Sequence, residues 1–177
     1  MVLSSDENRK QSRINTTFKE EETVMTTEKQ VKQYPQVAEA FELELDGDAD
    51  GNTPLGMVKA FGYNPEGWKF QGEAVTGKHK GKFKLVQIGY QPNLDAAKAA
   101  LEAKHGPTPQ GQWMKAFKDA YPEADGKGPV GIADASWVGP YGGVLFPYVR
   151  SNGGPSFRWT DYLREYWRWL VAVPEGE

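Results

Sequence analysis

The hydrophobic pattern divides the chain into a polar start and a patterned body. From residue 1 to 30 the apolar side chains Ile14, Phe18 and Val24 stand alone among Thr, Glu, Lys, Ser and Asn. Isolated apolar residues bury too little surface to offset the entropy of ordering the chain. Residues 1–30 therefore read as a flexible polar tail ahead of one globular domain over 31–177. Met25 is a candidate start of a shorter product, and a short helix is expected from Thr26 to Tyr34, ended by Pro35.

The body opens on a strand. Phe41, Leu43 and Leu45 alternate with Glu42 and Glu44, the period of two of a half-buried strand. Asp46 to Asn52 reads as a turn, and the apolar run from Leu55 to Tyr63 as a second strand. In Asn64-Pro65-Glu66-Gly67 the proline presets φ and the glycine accepts φ > 0, which is turn chemistry. Trp68–Val75 and Lys80–Tyr90 read as two further strands joined around Thr76-Gly77-Lys78. Four strands so closely joined predict an antiparallel meander.

The period then lengthens to that of a helix. Asn93 is placed to cap a helix from Leu94 to about Lys104, which Gly106 stops. Thr108 as a cap, with Pro109 at the first helical position, predicts a second helix reaching Tyr121. Along it Trp113, Phe117 and Tyr121 recur every fourth position with Met114 beside them, an apolar stripe that faces a core. After a loop from Glu123 to Pro129, strands return over Val130–Val138, Val144–Val149, Ser156–Thr160 and Trp167–Val173. Segment 160–170 stays open between two readings. Leu163, Trp167 and Leu170 fit a helical stripe capped by Thr160, whereas Trp169-Leu170-Val171-Ala172-Val173 has the composition of a buried strand. The expected fold class is α+β: an antiparallel meander, two consecutive helices, then a second set of short strands.

Composition narrows the function classes. With 177 residues, 38% hydrophobic and 25% charged, the chain is ordinary for a globular protein. A body of about 140 residues holds a core without metal or disulfide staples. The absence of cysteine excludes disulfides, thiolate metal sites and cysteine nucleophiles. A net charge of −3 argues against a protein defined by nucleic-acid binding. No apolar run has membrane-spanning length, and Met1-Val2-Leu3-Ser4-Ser5-Asp6-Glu7 lacks the basic-then-apolar order of a secretory signal. A soluble, cytoplasmic protein is expected.

Several segments carry candidate chemistry. Asp46, Asp48, Asp50 and Asn52, with Gly51 at the sixth place, match the first half of a calcium loop, because Ca²⁺ takes hard oxygens around a glycine bend. Pro54 and Met57 then stand at the ninth and twelfth places, where an EF-hand needs other ligands, so the competing reading is an acidic turn. Lys78, Lys80, Lys82 and Lys84 line one face of a strand, a row that a phosphate backbone fits. The competing reading is an edge strand protected by lysine. His79 sits among lysines and His105 at a helix C-terminus, and neither has a second ligand at metal spacing. Ser136 lacks the flanking glycines of a nucleophile elbow. Gly126-Lys127-Gly128 and Gly139-Pro140-Tyr141-Gly142-Gly143 lack phosphate-loop spacing and read as turns. A hydrolase working through converging carboxylates is compatible with the sequence, but no pair is singled out.

The heaviest signal lies near the C-terminus. The last lysine is Lys127, and the basic residues beyond it are Arg150, Arg158, Arg164 and Arg168. No arginine occurs between Arg13 and Arg150. Ten aromatic rings fall between Trp137 and Trp169, among Ser, Asn and Gly. This mixture matches recognition surfaces, since rings give contact area at little entropic cost and guanidinium groups pair and stack. Tyr141, Tyr148, Arg150, Asn152, Phe157, Arg158, Trp159, Tyr162 and Arg164 are the expected surface, with a protein or glycan as partner and no catalysis. Trp167, Trp169 and Val171 are assigned to the interior. The competing reading packs all these rings into the core. The Gly- and Trp-rich C-terminal half, closing on Tyr166-Trp167-Arg168-Trp169-Leu170-Val171, resembles the last segment of C-type-lectin-like folds, which implies a binding scaffold.

Overall fold

The computed structural model describes residues 32–174. The expected tail, Met25 and most of the Thr26–Tyr34 helix lie outside the described residues. The first strand forms as its alternation requires. β1 (Phe41–Asp46) buries Leu43 and Leu45 and exposes Glu42 and Glu44.

The run after it is a helix, α1 (Pro54–Ala60), and not the expected strand. Thr53 Oγ1 accepts the Gly56 N–H at 3.1 Å, Pro54 opens the first turn, and Met57, Val58 and Phe61 then fall on one buried face. With its second strand replaced by a helix, the meander does not form. β2 (Lys69–Phe70) pairs instead with β6 (Trp137–Val138), and β3 (Lys78–Val86) pairs directly with β1.

After β4 (Gln91–Asn93) comes α2 (Leu94–Lys104), which matches expectation. Asn93 Oδ1 accepts the Ala96 N–H at 2.8 Å, and Gly106 follows the helix at φ 152°. The next helix, α3 (Trp113–Ala120), starts later than Thr108 and Pro109 predict. Tertiary contacts keep 107–110 out of a helix, and Gln112 already has helical backbone angles. Pro107 O accepts from Ala172, Gly111 N donates to Asp134 Oδ2 at 2.7 Å, and the Gly111 backbone lies so close to the Trp137 ring that a Cβ would sit 2.5 Å from it. The apolar stripe survives: Trp113, Met114, Phe117 and Tyr121 are all buried.

The remaining strands are β5 (Val130–Gly131), β6, β7 (Val144–Val149), β8 (Pro155–Trp159), β9 (Asp161–Leu163) and β10 (Arg168–Ala172). Segment 160–170 is thus strand and turn, not helix. The main sheet runs β1-β3-β10-β5-β7-β6-β2, with β8 on the free side of β7, while β4 and β9 pair separately. Only β10–β5 is parallel among these pairs.

Helices cover both faces. α1 and α3 pack with Leu43, Leu45, Phe83, Leu85, Leu170 and Trp137 in one apolar cluster. α2 packs through Leu94, Ala97 and Leu101 with Val86, Phe146, Trp169 and Val171 in the other. This explains β10, whose first four residues are all buried: a strand covered on both faces reads as a continuous apolar run.

One buried amide joins the loops on the α3 side. Gln112 Oε1 accepts the Val75 N–H at 2.7 Å, and Nε2 donates to Asn52 O at 2.8 Å and to Val75 O at 3.2 Å. Gln112→Leu leaves these backbone groups buried without partners, so a loss of about 2 kcal/mol in urea-unfolding free energy is expected. A change under about 0.5 kcal/mol contradicts this role.

Candidate functional site

Two turns and the end of one hairpin strand build an aromatic groove. After α1 the chain turns at Gly62 (φ 98°) and again through Asn64–Gly67, where Asn64 Oδ1 accepts the Glu66 N–H at 3.1 Å and Pro65 O accepts from Trp68. This tight reversal sets Tyr63 and Trp68 side by side, with ring centroids 5.3 Å apart. The second turn joins β6 to β7. Gly139 N donates to Gly143 O and Gly142 N to Gly139 O, at 2.9 and 3.0 Å. Tyr141 is carried at its tip and is 99% exposed.

β8 supplies the floor and one wall. Phe157 and Trp159, two positions apart, share a face of the strand. The Phe157 ring lies 5.2 Å from Trp68, 5.9 Å from Tyr63 and 5.4 Å from Trp137. Trp159 stands opposite Leu145 across the hairpin and rests on Gly143, where a Cβ would come within 2.5 Å of its ring. The missing side chain at Gly143 thus seats an indole that is 64% exposed. Gly67 abuts Pro140, which closes the two turns against each other. The open groove is about 450 Å³, lined by Tyr63, Asn64, Trp68, Pro140, Tyr141, Leu145, Phe157 and Trp159, without a charged side chain.

A polar brace lies behind the groove. Tyr63 Oη and Ser156 Oγ are 2.7 Å apart, and Arg150 Nη2 donates to Ser156 Oγ at 3.1 Å. Tyr63 is therefore held by its hydroxyl while its ring lines the opening.

The structure divides the surface expected from sequence. Tyr141, Phe157 and Trp159 meet in the groove. Phe157 is only 7% exposed, so it serves as floor and core and not as an exposed contact, which corrects its expected place. Arg150 acts from behind, and Asn152 closes the β7–β8 turn by accepting the Gly154 N–H. Tyr148, half-buried, packs on Trp167 at 5.2 Å in the α2-side cluster. Arg158 stacks on the same Trp167 at 5.4 Å and donates to the carbonyls of Trp159, Asp161 and Tyr162. Those bonds hold Tyr162 at φ 56°, a left-handed conformation that costs a non-glycine residue about 1–3 kcal/mol. Tyr162 and Arg164 are exposed on and just beyond β9. Trp167, Trp169 and Val171 are interior, as expected. Tyr63, Asn64 and Trp68 escape the sequence reading, although two rings flanking an Asn-Pro-Glu-Gly turn are a signal for such a wall.

The other candidates fall elsewhere. The lysines lie on β3, which β1 flanks over Lys78–Phe83 and β10 only over Phe83–Val86, so Lys78 and Lys80 keep one open edge while Lys84 lies inside the sheet. Lys78, Lys80 and Lys82 stand directly opposite Asp46, Glu44 and Glu42, and Lys80 Nζ comes within 3.8 Å of Glu44. Opposed residues of an antiparallel pair share a face, so three of the lysines are matched by acids. Lys84 stands opposite Val171. In the acidic turn Asp46 Oδ1 accepts the Asp48 N–H and Asp48 Oδ2 accepts the Gly77 N–H, both at 3.1 Å. Asn52 donates to Asp46 O and accepts from Lys115, and Asp50 stands in the same turn. Among the described residues no three His, Asp or Glu side chains gather as a metal-holding group. His79 bonds Thr76 O, and His105 follows α2.

Ser136 Oγ donates to Asp134 Oδ1 in a separate cleft of about 210 Å³ lined also by Glu73, Lys98 and Thr108. On the far side of the sheet end, Arg168 is 3% exposed and forks onto Asp125 at 2.8 and 2.9 Å. Burial alone would raise the Asp125 carboxyl. The Arg168 hydrogen bonds, the Lys127 N–H and the two positive charges hold it below the usual carboxylate range. Burial pushes the Tyr34 hydroxyl, beneath the same arginine, up to about 12.

Among the described residues no helix is long and apolar enough to cross a membrane. Comparison with protein-family models, curated proteins and solved structures gives no match, so the likeness to C-type-lectin-like folds has no matching fold behind it and the groove stands on its own chemistry.

Proposed function

We propose that the chain is a non-catalytic recognition protein that binds a protein or glycan partner in the groove between the Asn64–Gly67 and Gly139–Gly143 turns. The observation that carries this reading is the pair of exposed rings, Tyr141 and Trp159, over a floor of packed aromatics. Large apolar surface is rarely left in water without use, and Trp and Tyr dominate the energetics of contact surfaces. The volume lies in the range of ligand pockets. The lining also holds no carboxylate, histidine, lysine, serine or threonine.

Peptide and glycan arrays probed with wild type and with Tyr141→Ala/Trp159→Ala test this. The double variant is expected to lose at least about thirtyfold in affinity for whatever the wild type retains, a loss of ~2 kcal/mol. Its melting temperature should stay within a few degrees, because both rings are mostly in solvent. Ligands bound equally by both proteins contradict the reading.

A further inference from the structure

A cleft that shares no residue with the aromatic groove opens beside Arg168. Its polar side chains are Gln36 from the segment before β1, Gln87 just after β3, Asp125 and Lys127 from the loop after α3, and Arg168 of β10. The space is about 220 Å³, roughly ten times what one water needs, so a molecule of several heavy atoms fits. The segment that carries Gln36 is held in place against strain. Ala38 stands at φ 73°, a left-handed conformation that a non-glycine residue keeps only where its surroundings impose it. Its N–H donates to Leu85 O at 2.7 Å, and Glu39 N donates to Gln36 O at 3.0 Å.

Asp125 does not use up the donors of Arg168. The guanidinium, 3% exposed, has five N–H groups and spends three, two on Asp125 and one on Gly128 O at 2.7 Å. Its Nε is buried without a hydrogen-bond partner among the described residues. The hydroxyl of Tyr34, whose ring centre lies 5.5 Å beneath the guanidinium, is buried in the same condition. Burial keeps that hydroxyl protonated at neutral pH, so it stays a donor. Buried donors without an acceptor are rare and costly, and an ion that enters is one of the few remedies. The charges point the same way: Arg168 and Lys127 set two positive charges against the one carboxylate of Asp125.

We propose that this cleft binds a small oxyanion of one negative charge, the carboxylate of a short organic acid. An acceptor is what the unpaired donors lack, and a single negative charge balances the lining. A cation would add to the positive excess, and a dianion would carry an unmatched charge to the Asp125 carboxylate. Lys127 and the amide N–H groups of Gln36 and Gln87 are on exposed residues and supply further donors. The site is independent of the aromatic groove, so neither proposal stands or falls with the other.

The test is titration of the protein with sodium acetate, with sodium chloride at equal ionic strength as control. The readouts are the Arg168 Nε–H resonance in NMR and the melting temperature. Acetate is expected to shift the resonance saturably and to raise the melting temperature by mass action, while chloride does neither. Lys127→Ala, at an exposed position, should fold as wild type does and bind acetate at least about fivefold more weakly. Sulfate that binds more tightly than acetate overturns the single-charge assignment. No response to acetate, or an equal response to chloride, overturns the site and leaves the two donors to trapped water. An acetate response that Lys127→Ala leaves unchanged places the ion elsewhere and overturns it too.

Discussion

Replacing Trp137 by alanine is expected to destabilise the protein by about 3–5 kcal/mol. The indole has no solvent exposure and packs against Phe70 at 4.8 Å and Phe157 at 5.4 Å. Its Nε1 donates to Pro54 O at 2.9 Å, which ties α1 to β6. The Gly111 backbone rests directly on the ring, so rigid main chain borders the space and limits its collapse. Because Phe157 is the groove floor, the cavity also removes support from the site. Trp137→Phe keeps most of the packing and loses the hydrogen bond, so about 1–2 kcal/mol is expected. Urea unfolding of both variants checks this, and equal losses would show that the hydrogen bond outweighs the packing.

Breaking the ion pair between buried Arg168 and solvent-facing Asp125 is the second large effect expected. Asp125→Asn leaves the Arg168 guanidinium, which is 3% exposed, with only the Gly128 carbonyl and a neutral amide, at a cost of about 2 kcal/mol near neutral pH once solvent screening at the exposed carboxylate is allowed for. The cost has a defined pH dependence. The Asp125 carboxyl is held below its unfolded value, so the pair stabilises fully above about pH 4 and loses this contribution as pH falls through the lower folded value. The difference between wild type and Asp125→Asn should therefore close on acidification, as wild type comes to resemble the variant. A difference that is constant between pH 7 and pH 2 contradicts the assignment.

The elements legible in the sequence are those whose signal is local. α2 has its cap, its alanines and its stop within one segment, and β1 has its alternation. β10 is readable from composition because both of its faces are covered, so its first four positions are all buried. α1 was misread because a short apolar run carries no periodicity of its own, and the Thr53-Pro54 start decides it. The onset of α3 is misread because its cause is distant: Trp137 and Asp134 pin the Gly111 backbone just ahead of the helix.

The site was half legible for the same reason. Tyr141 and Trp159 announce themselves as rings among turn residues. Tyr63 and Trp68 join them only through the fold. The arginines mislead in part, since Arg158 and Arg168 serve backbone carbonyls and an internal carboxylate. The lysine row is only partly legible because its partners come from elsewhere in the chain: β1 sets acids opposite Lys78, Lys80 and Lys82, and β10, from the far end, covers Lys84.

The account depends on the Trp159 ring standing in water over the groove. Of the six tryptophans the other five are at most 8% exposed, so collisional quenching isolates it. Acrylamide quenching of wild type and Trp159→Phe is the direct measurement. The expected result is a readily quenched emission component in wild type that is missing from the variant. Equal quenching of the two proteins would place the Trp159 ring inside and leave no open aromatic groove.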